Sequence, residues 1–202
     1  MPTARSLIAA IFAASAATVA ASAAHAACET TTPVDDLTHD QAQAIYDCIA
    51  ADLLAGYKNG PKMWIPEDRV ADYRGWTSAN TAPARPGFHD NRFLLTWVNP
   101  VGAKEYLRYD EENAKMPAGS IIAKESFSVN KDGKPVHGPL FFMEKVAEGV
   151  SPETADWYYY MVAPNGVPQA VNVVTACAEC HMGNFGDRDS LGFPIEEVRI
   201  PH

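Results

Sequence analysis

The sequence predicts an α+β fold, an antiparallel β-sheet with flanking helices, and three observations carry that reading. The patterns run helix, strand, short helix and then several strands, an order that favours an α+β domain over repeated βαβ units. Residues 120–129 alternate with period two, Ile121, Ala123, Phe127 and Val129 falling on one face and Lys124, Ser126 and Ser128 on the other. The connections between strand patterns are too short for the crossovers that parallel pairing needs. At 202 residues, 47% hydrophobic and 20% charged, the chain has the balance of a globular protein and room for one domain or two small ones.

In chain order, residues 1–26 read as an export signal: Arg5 gives a positive start, residues 7–24 are apolar and alanine-rich, and Ala24-His25-Ala26 offers the small residues of a cleavage site. Residues 27–90 then form a helix and an irregular connection packed on the same domain as residues 91–202. After export, Cys28 and Cys48 meet an oxidising compartment and are expected to bridge. Closing a loop of that size stabilises by about 3 kcal/mol. Thr38 and Gln41 form a capping-box pattern, and Ile45, Ile49, Leu53 and Tyr57 recur at helical spacing, so 38–57 is a helix with one buried face. Gly56 and Asn59-Gly60-Pro61 stop it. Residues 61–90 form the connection, from which Trp64 and Trp76 pack onto the core.

Residues 92–98 read as a strand, and Asn99-Pro100 ends it and opens a short helix to about Tyr109. The alternating strand 120–129 ends in the turn Asn130-Lys131-Asp132-Gly133. Two more strands cover 140–146 and 156–163, the second carrying Trp157, Tyr158, Tyr159 and Tyr160, a candidate surface for a homodimer.

Sixteen Lys and Arg stand against 25 Asp and Glu, a formal net charge of −9 with no basic run to offset it. Nucleic acid is thereby excluded as an expected partner. An acidic surface instead steers a basic partner protein. No second stretch is apolar and long enough to cross a membrane, so a periplasmic protein is expected once the signal is removed.

The chemistry concentrates in Cys177-Ala178-Glu179-Cys180-His181, the attachment pattern of a c-type haem. Two thiols three positions apart reach the two vinyl groups on one side of a porphyrin and form thioethers, and the adjacent imidazole reaches the iron. A redox dithiol or half a zinc site uses the same Cys-x-x-Cys spacing. A redox dithiol usually opens a helix in a βαβ context, and none precedes it; a structural zinc site needs two more ligands, and the only other thiols are Cys28 and Cys48. One haem c is expected, bound by Cys177 and Cys180, with His181 as the metal ligand. Met182 is too close to His181 to cross to the far side of the iron. Met63, Met116, Met143, Met161, His39, His89 and His137 are the candidates for a sixth ligand there.

The stretch from Arg92 to His181 resembles the cytochrome P-460 family of periplasmic c-type haem proteins. The matching residues are Asn99-Pro100 with Tyr106, Lys115-Met116-Pro117-Ala118-Gly119 leading into 120–125, Phe142-Met143-Glu144-Lys145, the aromatic strand around Trp157, and the haem pentapeptide. The resemblance implies an antiparallel sheet with flanking helices and a five-coordinate haem with an open distal side. Hydroxylamine-oxidising members of that family tie a lysine side chain to the porphyrin edge. Their Lys-x-Pro-x-Gly stretch falls here on Lys115, which becomes the cross-link and catalytic candidate, with Lys104 and Lys124 as weaker substitutes. For the proton-accepting distal carboxylate that such members use, Glu125 and Glu144 are candidates.

Three functions follow. The first is a haem enzyme oxidising hydroxylamine or a related small nitrogen-containing substrate. The second is a carrier of nitric oxide or carbon monoxide resembling cytochrome c′-β, its distal side capped by aromatics such as Phe93, Trp97, Phe127 or Phe141. The third is a six-coordinate electron carrier using Met143 or Met161.

Overall fold

The computed structural model describes residues 28–169 and 174–201. The export segment expected over residues 1–26 lies outside them. Among the described residues there are four α-helices, α1 (His39–Lys58), α2 (Glu67–Asp72), α3 (Ala103–Tyr106) and α4 (Glu179–Phe185). The strands are β1 (Thr77–Ser78), β2 (Phe93–Val98), β3 (Ile121–Val129), β4 (Pro135–His137), β5 (Leu140–Lys145), β6 (Trp157–Val162) and β7 (Pro168–Gln169). They form one antiparallel sheet in the order β1-β2-β3-β5-β6-β7, with β4 also paired to β3. The α+β expectation holds, because every strand pairing is antiparallel and the helices lie outside the sheet. No helix among the described residues is long and apolar enough to cross a membrane.

Helix α1 starts as its sequence dictates. The Thr38 N–H donates to Gln41 Oε1 at 2.9 Å and the Gln41 N–H donates to Thr38 Oγ1 at 3.2 Å, a complete capping box. Its buried stripe of Ile45, Tyr46, Ile49, Leu53 and Tyr57 lies on one face of the sheet, against Phe93, Leu95, Trp97, Ala123, Phe127 and Phe142. The helix runs past Gly56 to Lys58 instead of stopping there. Gly56 serves a close approach: a Cβ on it would stand 2.2 Å from the Pro164 carbonyl oxygen. The Cys28–Cys48 disulfide forms, with 5.6 Å between the Cα atoms, and fastens the segment before α1 to the helix.

Alternation along the strands sends the next residues to the other face. Ile122 and Lys124 from β3, Phe141 and Met143 from β5, and Tyr159 and Met161 from β6 line a hollow there. A π-helical turn (Val174–Ala178) and α4 cover it. Ile122, Met143, Trp157 and Tyr159 pack with Ala178 and Leu191 into a second, smaller core. Asn99 joins that layer to the sheet. Its Oδ1 accepts from the Gly102 and Ile121 N–H groups, and its Nδ2 donates to the Gly119 carbonyl. The short helix expected to reach Tyr109 ends as α3 at Tyr106, and Tyr109 takes a left-handed φ of 46°. Only Tyr158 of the aromatic run in β6 is exposed; Trp157, Tyr159 and Tyr160 are core, which leaves one aromatic for the expected dimer surface.

Candidate functional site

The hollow between the sheet and α4 is a cavity of about 360 Å³. Cys177, at the end of the π-helical turn, and Cys180 and His181, in the first turn of α4, all face it. Both cysteines are free thiols, and since Cys28 and Cys48 are bridged, a zinc site would find no further thiol in the chain. Burial raises the Cys177 thiol's pKa, and Cys180 beside it adds to the effect. His181 is 7% exposed, and its Nδ1 lies 2.8 Å from the Ser190 carbonyl oxygen. A carbonyl only accepts, so Nδ1 carries the hydrogen and the Nε2 lone pair is left for a metal. Burial pushes His181 down to about 4, with nearby Lys124 adding to the effect and the Ser190 bond opposing it, so the imidazole is neutral at ordinary pH.

Ser190's carbonyl is itself fixed. Asp189 and Ser190 both have left-handed φ, 55° and 63°. That turn is held by Lys145 Nζ donating to Asp189 Oδ1 at 2.6 Å, the Met116 N–H donating to Oδ2 at 2.8 Å, and Trp157 Nε1 donating to the Asp189 carbonyl at 2.9 Å. These contacts form the outer shell that orients the histidine. Nothing in the pentapeptide signals it, because Asp189 lies outside the motif and acts through the backbone.

The donor set fits a haem c. Two thiols spaced for thioethers, a neutral imidazole and the buried Tyr159 hydroxyl, which lacks a hydrogen-bond partner among the described residues, surround one hollow.

The lysine the cavity offers is Lys124. It is buried in the wall of the cavity, and its Nζ donates to the Gly192 carbonyl at 2.7 Å. Burial pulls its amine down to about 8. Lys115, the expected cross-link residue, is exposed on the loop before β3, and its backbone N–H donates to Glu105 Oε1 at 3.1 Å. The turn at Pro117–Gly119 separates it from the strand, whereas period-two alternation delivers Lys124 to the hollow.

The carboxylate candidates also move. Glu125, one residue on from Lys124, faces α1, where Tyr73 donates to it at 2.7 Å and Tyr46 at 3.3 Å and Arg74 forms an ion pair with it. Glu144 meets Arg69 and the Tyr160 hydroxyl, outside the cavity with the cysteines. Of the candidate capping aromatics, Phe141 lines the cavity, while Phe93, Trp97 and Phe127 belong to the core under α1. Of the candidate sixth ligands, Met143, Met161 and His89 line it, Met63 is exposed and Met116 is packed beside Gly102.

The family model described as Cytochrome P460 matches residues 70–191, which takes in β1 to β7, the cavity and the pentapeptide. A search of curated proteins returns no match. With that match spanning more than half of the sequence, over the strands and the helix that build the cavity, the chain belongs to the cytochrome P460 family, whose members are c-type haem cytochromes.

Proposed function

We propose that this chain is an exported, periplasmic mono-haem c-type cytochrome that acts on hydroxylamine or a related small nitrogen oxide and passes electrons to a redox partner protein. The observation that carries it is Lys124, a buried amine on the same cavity wall as Cys177, Cys180 and His181. Cys177 and Cys180 would hold the haem through two thioethers, and His181 would bind its iron through Nε2. When bound, haem supplies the metal that takes the substrate nitrogen and accepts its electrons. Lys124 is the lysine in the wall of that cavity, so we assign to it the cross-linking role for which the family resemblance named Lys115. The net charge of −9 favours a basic electron acceptor. A second reading, nitric oxide or carbon monoxide binding of the cytochrome c′-β kind, is favoured by Phe141 in the cavity wall.

The test is denaturing mass spectrometry and the ferrous absorption spectrum of protein made in a host that matures c-type cytochromes. A red-shifted ferrous Soret band that reverts in Lys124→Ala and persists in Lys115→Ala supports the enzyme reading, and hydroxylamine-dependent reduction of an added acceptor should then fall with it. A spectrum that neither lysine alters leaves the gas-binding reading.

A further inference from the structure

His89 lies in the wall of the cavity, and its ring centre is 6.2 Å from that of His181, with the two planes at 76°. A metal–nitrogen bond is about 2 Å and each nitrogen sits about 1 Å from its ring centre, so two imidazoles on opposite sides of one iron stand about 6 Å apart. The pair therefore has the spacing of trans axial ligands.

The surroundings agree. A second hollow of about 200 Å³ shares His89, His181 and Lys124 with the first, so both hollows border the two rings. A flat macrocycle passing through that gap would have its thioether edge by Cys177 and Cys180 in one hollow. Its opposite edge would point toward Arg188 and Arg199, which line the other and are both ion-paired with Glu111. Among the described residues no hydrogen bond holds either ring nitrogen of His89; its ring is positioned by Phe141, 4.6 Å away. Its backbone is unusual too. His89, Asp90 and Asn91 have consecutive left-handed φ values of 54°, 57° and 56°. Non-glycine residues keep that conformation only where the surroundings hold them, and such strain gathers at ligand clamps and switches.

We infer that His89 is a second, displaceable axial ligand of the haem iron, which an incoming small molecule must push aside. This rests on the haem reading above, and departs from the five-coordinate iron that the family resemblance implies.

The holoprotein tests it by ferric absorption and electron paramagnetic resonance. Wild type should be low-spin and six-coordinate, and His89→Ala should be high-spin and return to low spin on addition of imidazole. Cyanide should bind ferric His89→Ala at least about tenfold faster than wild type, because only the fraction with His89 detached accepts it. His89→Met keeps a ligand in place if the alanine variant fails to mature, and should gain the near-infrared charge-transfer band of methionine–iron ligation. High-spin wild-type iron, a low-spin spectrum unchanged by His89→Ala, or a methionine variant without that band would overturn the assignment. The pyridine haemochrome of the same sample separates the failures. Absence of thioether-bound haem removes the haem reading and this inference together, whereas covalent haem with high-spin wild-type iron removes only His89.

Discussion

Lys124 and Glu125 are neighbours on one strand, both buried, and the sheet treats them in opposite ways. On the face under α1, Glu125 is fully buried and meets Arg74, Tyr46 and Tyr73. The carboxylate and burial raise both tyrosine pKa values and keep the hydroxyls protonated as donors, while the same carboxylate holds the Arg74 guanidinium charged despite its burial. On the cavity face, Lys124 has the Gly192 carbonyl and, among the described residues, no carboxylate, and burial pulls its amine down. A buried charge with a full set of partners is structural. One left with a single neutral partner beside a cavity is the kind that does chemistry. The helix face would then hold the fold together, and the cavity face would carry the reaction.

The sharpest way to break that comparison is to remove the carboxylate. Glu125→Ala strands a partly buried guanidinium and two tyrosine hydroxyls, and the loss should be about 3–5 kcal/mol in denaturant unfolding. Protein that still folds should keep its covalent haem and its spectrum, since Glu125 faces away from the cavity. A spectral change without a loss of stability would reverse the roles assigned to the two faces.

Next in size is the disulfide, which belongs to the helix face alone. Cys28→Ser with Cys48→Ser opens a crosslink of sequence separation 20 and should cost about 3 kcal/mol. The midpoint of urea unfolding should fall while spin state and ligand binding stay as in wild type. A shift in the haem spectrum would mean that α1 positions the cavity, not only the sheet.

How much of this was legible follows from what a sequence pattern encodes. Helix α1 and strands β2, β3, β5 and β6 are long enough for periodicity to reveal them, and Thr38 and Gln41 marked the helix start. Strands β1, β4 and β7 have two or three residues and no period to read; they exist because Thr77, Val136 and Pro168 find partners on neighbouring strands. The haem pentapeptide was legible because its chemistry is local. Lys124 was legible only in part: it stood as a substitute for Lys115 on the face opposite Ile121 and Ala123, but alternation never says what will cover a face. That depended on where α4 lands, and the motif around Lys115 pointed to the adjacent loop. The run His89-Asp90-Asn91 did carry a signal, since Asp and Asn tolerate left-handed backbone, but nothing in it says that the loop ends beside His181.

The smallest effect is the most discriminating. Replacing Lys124 by methionine keeps the stem's volume and deletes a poorly compensated cation, so the fold should become more stable by about 1–2 kcal/mol at neutral pH. The gain should depend on pH with a definite sign. Burial holds the Lys124 amine at about 8 in the folded chain, below the ordinary lysine value of 10.5. The unfolded chain therefore binds the extra proton between those values, and wild-type stability rises with pH across that window. The penalty is complete below about 8 and gone above the ordinary lysine value. Denaturant midpoints for wild type and Lys124→Met should converge as pH rises from 7 to about 11. Both should carry Cys177→Ser and Cys180→Ser, so that no thioether-linked haem fills the cavity. If the gap stays constant instead, Lys124 is as well compensated as Glu125, and the division between a structural face and a reactive face fails at the residue that defines it.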